Sequence, residues 1–381
     1  MNSTLPGRVA VVNSAQTVLT PSWSDRQHID LIAEAVSRAL KGTGLRIDDI
    51  DFVIDSGSDF LDGRSISNCG FLGAMGAHHK EESRVEEDGL WSLTYAANKI
   101  ACGSASVGLV IAYSKPSESD VRAFWTGLLE PFTQRPTGLD QLSAAGLYAQ
   151  RYLAKAGIKA DDLRDVVRHA WAMAARNPYV DVDAVPDDDA FWNEDVASPL
   201  RRSDLARPVD GAVAVLVAGA EVADQIAKRP VWLTGHGSAI DQHFLAAREP
   251  DSLPACTAAT RTALRNAGDA QASEFDIVEV SATSSVGELM VLEAIGLAEA
   301  YRAIDLYRDG GPSTINPSGG ALPADVIMAT GLARLHEAAS RLAGRTDYTY
   351  DDFDNARTAL VHGTGGFGMQ NHCVVTMEVA S

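Results

Sequence analysis

The sequence lacks any apolar stretch long enough to cross a bilayer. A spanning helix needs about 20 such residues, and every apolar run here is broken well before that. The opening segment, Met1 to Arg8, has no basic stretch followed by an apolar one, so no targeting signal is expected and the expected location is the cytoplasm. Cysteine is scarce, with four in 381 residues. Cys69, Cys102, Cys256 and Cys373 form no C-x-x-C pair, and their spacing suits neither a zinc site nor a disulfide framework. Each is expected to be a small buried hydrophobe, and no metal is expected. Positive charge is also in deficit: 32 Lys and Arg face 51 Asp and Glu, a net charge of −19. A surface this acidic repels phosphate backbones, which excludes nucleic acid as an expected partner; with no spanning segment, a membrane is excluded too. The acidic runs at 81–88 and 181–189 read as solvated loops.

The common catalytic signatures are missing as well. There is no G-x-S-x-G, no Walker A, no H-E-x-x-H and no EF-hand loop. Gly363, Gly365 and Gly368 fit G-x-G-x-x-G, but only thirteen residues follow and they read as strand, not as the helix a dinucleotide site requires. His78 and His79 are adjacent, so their side chains diverge on regular structure, and no third ligand lies near them in sequence.

What is present is an α/β pattern. Strands are expected at 8–12, 51–55, 106–113 and 210–220, with helices at 28–40 and 89–101 between the first three. Residues 116–205 read as an insertion holding two helices, near 142–155 and 160–175. From 231 the pattern repeats: strands at 232–235, 277–280, 358–362 and 374–379, and helices at 252–267, 286–295 and 326–342. This order implies two α/β units, 1–225 carrying the insertion and 226–381, related by element order and not by visible identity.

Three segments carry a resemblance. Ile315-Asn-Pro-Ser-Gly-Gly320 is followed by Ala329-Thr-Gly-Leu-Ala333. Val278 to Leu297 reads Val-Glu-Val-Ser-Ala-Thr-Ser-Ser-Val-Gly-Glu-Leu-Met-Val-Leu-Glu-Ala-Ile-Gly-Leu, and Leu360 to Gly368 reads Leu-Val-His-Gly-Thr-Gly-Gly-Phe-Gly. Together they resemble the thiolase superfamily, especially the sterol-carrier-protein-type thiolases and thiolase-like retro-aldolases. Weaker matches at Asn177-Pro178, at 208–218 and at 235–241 extend the likeness over nearly the whole chain. The resemblance implies two βαβαβ halves stacked as an αβαβα body with an inserted loop domain. It also implies assembly as at least a dimer.

The resemblance also locates what is missing. Thiolases carry the acyl group on a cysteine and use a second cysteine and two histidines. Counting back from the helix that ends at Gly103 places Glu86 at the nucleophile position, with Gly89-Leu90 matching the family's G-L. One histidine position falls on Ser281, the other on Asp325 or Val326, and the second cysteine on Gly363 beside His362. A carboxylate is no substitute for a thiolate, so an acyl-cysteine route is not expected. The implied substrate is an acyl-CoA thioester, with no tightly bound cofactor. One expectation is carbon–carbon cleavage or formation of aldol or Claisen type, with Glu86, Ser281, Asn316 and His362 as catalytic candidates and Gly363, Gly365 and Gly366 shaping a close-approach or oxyanion pocket. Glu86 reads equally as part of an acidic helix start capped by Asp88. The alternative is a non-catalytic subunit completing the site of a cysteine-bearing thiolase-like chain. A zinc-ribbon/OB-fold protein is a further implied partner. Phe124, Trp125, Leu128, Leu129 and Phe132 imply either room for a bulky acyl group or core packing.

Overall fold

The computed structural model describes residues 7–345, 353 and 355–380. The opening residues 1–6, part of the segment read for a targeting signal, lie outside the described residues. The strands are β1 (Val9–Gln16), β2 (Phe52–Ser56), β3 (Glu81–Val85), β4 (Val107–Ser114), β5 (Asp195–Ala197), β6 (Leu200–Arg201), β7 (Gly211–Gly219), β8 (Val231–Ile240), β9 (Ile277–Glu279), β10 (Thr358–Gly365) and β11 (Asn371–Val379). The helices are α1 (His28–Leu40), α2 (Leu72–Met75), α3 (Gly89–Ala101), α4 (Val121–Gly127), α5 (Gln141–Ala156), α6 (Leu163–Ala174), α7 (Asp189–Asn193), α8 (Ala220–Ile226), α9 (Pro254–Asn266), α10 (Ser285–Ala294) and α11 (Thr330–Leu342).

Apart from the small β5–β6 pair, the strands run in one mixed sheet in the order β3-β2-β4-β7-β1-β8-β11-β10-β9. β1 and β8 join its two ends through only two paired positions, Ala10 with Trp232 and Val11 with Val231. α3 and α11 touch each other and form the inner layer, α3 packing on β4 and α11 on β10. α1 covers β7 on one outer face, and α9 covers β8 and β11 on the other. The architecture is a thiolase-like α/β fold, as the motif pattern implies.

Local chemistry explains the elements that position the pocket. α3 begins at Asp88 because its carboxylate accepts from Leu90 N at 2.9 Å, satisfying an otherwise orphaned helix donor. Gly89 follows because a Cβ there would stand 2.5 Å from the Ala112 Cβ and 2.8 Å from that of Leu332, so a side chain would push α3 off β4 and α11. α11 is buried on every side, including Arg334, His336, Glu337 and Arg341. Arg341 pairs with Glu337 at 2.9 Å, and Arg334 donates to the Gly320 carbonyl at 2.9 Å and to Ser318. Asn177 donates to Glu337 at 2.7 Å and to the Ser318 carbonyl at 3.2 Å. The Asn316–Gly320 loop is thereby tied to the inner helix and to the end of the insertion.

Two expectations are corrected here. Residues 81–85 are not a solvated loop but β3, the sheet's outermost strand, parallel to β2. Its polar composition, Glu-Glu-Ser-Arg-Val, reflects an edge position with partly exposed faces. Cys256 and Cys373 are buried as expected, whereas Cys69 and Cys102 are exposed. No helix among the described residues is long and apolar enough to cross a membrane.

Candidate active site

β3 delivers Glu86, Glu87 and Asp88 to the carboxyl end of a parallel strand pair, where open α/β sheets place their sites. The three successive carboxylates have different fates. Glu86 lies at the rim, its side chain 53% exposed; it accepts from the Asp59 amide at 2.9 Å and from Arg84 Nε at 3.1 Å. Glu87 turns inward, accepts from Asn371 Nδ2, and is raised above the usual carboxylate range chiefly by burial. Asp88 is fully enclosed and caps two helices, accepting from Leu90 N and, at 2.8 Å, from Gly331 N. Burial pushes Asp88 up to about 8 against those two hydrogen bonds.

Glu86 and Glu87 open onto a cavity of about 240 Å3. Ser58, Gln370, Asn371 and the exposed His243 add polar groups, while Gly365 and Gly366 supply bare backbone. Phe124, Trp125, Leu128, Ile327, Met328 and Phe367 form the apolar wall. Three of the five aromatic and aliphatic residues singled out in the insertion therefore face this space. Leu129 packs instead beside Ala144 and Phe367, and Phe132 is 84% exposed. Gly365 leaves room for Glu87 as it lies, because a Cβ at 365 would make the carboxylate shift.

Arg84 braces the floor. It contacts Asp55 at 2.6 Å, Glu86 at 3.1 Å, Asp62 at 3.3 Å and Asp59 at 3.7 Å, and it donates to the Tyr113 hydroxyl at 2.9 Å. Burial pushes Asp55 up to about 7 despite this guanidinium.

Of the residues predicted from sequence, Glu86, Gly365 and Gly366 line the cavity, and Ser281, Asn316, His362 and Gly363 do not. Gly363 packs on the start of α3, 3.2 Å from the Asp88 carboxylate to a Cβ built there. Asn316 is fully buried, and its Oδ1 accepts from Val280 N at 2.7 Å. Ser281 is buried with its hydroxyl unpartnered. His362 is turned away by strand alternation: Val361 and Gly363 face the inner helices, whereas His362 faces α9 and bonds His372 across the hairpin at 2.9 Å. Asp325, one of the two residues aligned with a family histidine, is spent on local structure, accepting from Thr330 Oγ1 at 2.6 Å and from Ile327 N at 3.0 Å.

Sequence reasoning missed Glu87. The signal was present in the run Glu86-Glu87-Asp88, since adjacent side chains on an extended segment point to opposite sides. Cys373, expected as a buried hydrophobe, faces the inner layer below this run. Burial and the nearby Asp88 and Glu87 carboxylates push its thiol well above the ordinary range, so it is a neutral group and not a thiolate. None of the four cysteines lines the cavity.

Comparison with known proteins agrees with the fold. Residues 237–378 match the Thiolase C-terminal domain-like family. An acetyl-CoA acetyltransferase of Methanocaldococcus jannaschii is 26% identical over 350 residues, covering 86% of this chain and 88% of the relative. A 17-hydroxy-3-oxo-4-pregnene-20-carboxyl-CoA lyase of Mycobacterium tuberculosis is 27% identical over 369 residues, covering 89% and 92%. Among solved structures, the Ltp2-ChsH2(DUF35) aldolase superimposes with a TM-score of 0.79 at 20% identity over 98% of both chains. The fold of this chain is that of the thiolase superfamily, with its C-terminal part matched to the family's C-terminal domain.

Proposed function

We propose that this chain acts on an acyl-CoA thioester and makes or breaks a carbon–carbon bond of aldol type without an acyl-cysteine intermediate, with Glu87 as the general base. The observation that carries the proposal is a partly buried carboxyl, raised in pKa, facing an apolar cavity that no cysteine lines. In the cleaving direction, Glu87 takes the proton of a 3-hydroxyl group. The bond between C2 and C3 breaks, C3 becomes a carbonyl, and the electron pair passes to C2 as the enolate of the shorter thioester. A proton then returns to C2. Asn371 holds the carboxyl in place, and Gly365 leaves room for it. Phe124, Trp125 and Phe367 exclude water and fit a bulky apolar acyl group. Relatives named as CoA acetyltransferase and CoA lyase support the thioester as substrate class. Glu86 is assigned to the rim, where Arg84 holds it.

The test is turnover of 3-hydroxyacyl-CoA thioesters with bulky acyl groups, followed by release of the shorter thioester. Glu87→Gln is expected to lower kcat by about 100-fold or more, the range of a lost general base. Unchanged turnover in Glu87→Gln would sink the proposal.

A second reading rests on the same absence of thiols and on the distance of Ser281, Asn316 and His362 from the cavity. In that reading the chain completes the site of a cysteine-bearing thiolase-like partner, in a hetero-oligomer that also accommodates a zinc-ribbon/OB-fold protein. The name Ltp2-ChsH2(DUF35) aldolase, which joins two components, supports looking for such an assembly. Turnover by the isolated chain would eliminate this reading.

A further inference from the structure

The outer face of the β10–β11 hairpin carries a second cluster, unrelated to the cavity. His362 on β10 and His372 on β11 stack with ring centroids 5.2 Å apart and planes 28° apart. Cys256, in the first turn of α9, points at them, and one ligand atom from each of the three lies within 4.8 Å of the others. All three side chains are completely shielded from solvent, at 0% exposure.

The hydrogen-bond inventory of this cluster does not close with protons alone. His362 Nε2 and His372 Nδ1 lie 2.9 Å apart, so one of them holds the proton and the other accepts it. Each neutral ring carries a single proton. One of the two outer nitrogens is therefore always a bare acceptor and the other always a donor. Both outer nitrogens, His362 Nδ1 and His372 Nε2, are buried without a hydrogen-bond partner of normal geometry. The groups beside them are main-chain segments, Ser281 at His362 and Met369 at His372, and they favour a protonated ring nitrogen in each case. No assignment of one shared proton places N–H on both outer positions.

A cation in place of that proton does. We propose that Cys256, His362 and His372 form a structural site for a soft d10 cation, zinc or copper(I), bound through the Cys256 thiolate and the two facing ring nitrogens. Both rings then carry their protons on the outer nitrogens, aimed at the Ser281 and Met369 main chain, which is the outer-shell pattern that fixes metal-bound imidazoles. Thiolate and imidazole are the donors these ions prefer, and carboxylates are absent from the set. Cys256 sits where a helix N-terminus favours an anion. The burial that otherwise keeps the thiol protonated, pushing it up to about 12, is offset by the cation's charge. Three ligands, one of them a thiolate, make a neutral site with copper(I) and a singly positive one with zinc. The site would fasten α9 to the hairpin whose inner face carries Gly365 and Asn371.

The test is elemental analysis of the full-length chain, purified without chelator from cells supplied with both metals. About one equivalent of zinc or of copper per chain is expected, and which of the two is present distinguishes the ions. Cys256→Ser and His372→Gln are expected to lower occupancy about tenfold or more, while Cys102→Ser leaves it unchanged. Refolding with cobalt(II) is expected to give thiolate-to-cobalt charge-transfer absorption in the wild-type chain, a direct sign of thiolate ligation, and Cys256→Ser, folded by circular dichroism, is expected to lack it. A wild-type chain that is folded by circular dichroism, holds neither metal and shows no cobalt band would overturn the site.

Discussion

The two faces of one hairpin carry opposite solutions to the same problem, the burial of polar side chains. On the inner face, Gly363 and Gly365 remove side chains altogether, and the space is given to Asp88 and Glu87. On the outer face, two fully buried imidazoles, His362 and His372, fill the space and meet each other. The inner carboxyl is partly solvated, has one strong partner and remains able to exchange a proton. The outer rings are sealed, and burial holds both below the usual histidine range, His372 down to about 3. A group that exchanges protons with a substrate needs partial exposure as well as a shifted pKa. Only the inner face offers both.

The largest expected effect breaks the inner face. Glu87→Gln should lower turnover by about 100-fold or more while raising stability. The sign follows from linkage. Glu87 has a raised folded-state pKa, so its contribution to stability is present below the unfolded value and is lost as pH rises through the folded one. At neutral pH the ionised group is a cost that glutamine removes. The same shift places the acid limb of kcat/KM above the ordinary carboxylate range, since the base fails as it is protonated. Denaturant titration and a pH–rate profile check both halves.

Gly365→Ala is the next largest. A methyl group there displaces the Glu87 carboxyl, and the expected loss is about tenfold in kcat with a smaller change in stability. A purely structural role for Gly365 would reverse that order. The outer face predicts an acid transition instead. With Cys256, His362 and His372 as ligands of one cation, protons compete for all three donors as pH falls, so acid or a chelator should lower the unfolding free energy of the wild-type chain and leave that of Cys256→Ser unchanged. The smallest effect is Glu86→Gln, whose solvent-screened contact with Arg84 predicts less than about a threefold change in turnover. A large effect of Glu86→Gln with none from Glu87→Gln would exchange their roles.

Much of the fold could be read from local chemistry. α1 and α3 have the predicted bounds, because amphipathic spacing and the Asp88 cap are local signals. α11 starts later than predicted, at Thr330, since the four residues before it turn through a positive φ at Ile327. β3 escaped because an edge strand of this polarity looks like a loop. The site was legible only in outline. Counting along the motif reached Glu86 at the cavity rim, one residue from the carboxyl that turns inward, and sequence cannot tell which of two neighbours does so. Alternation along β10 already set His362 opposite Gly363, but the partner that explains it, Cys256, is 106 positions away and meets it only through packing of α9 on the hairpin.

The bracing of Glu86 bears on what a single substitution could do here. A thiol introduced at position 86 would meet the Arg84 guanidinium and the Asp59 amide, not an imidazole. Ser281, which the resemblance sets at a family histidine position, is buried, and Asp325, one of two residues it sets at the other, is committed to starting α11. One substitution at position 86 therefore supplies a thiol without the imidazole that thiol chemistry needs. The Arg84 cluster thus makes position 86 a socket cut for a carboxylate, in a fold whose relatives include named acetyltransferases.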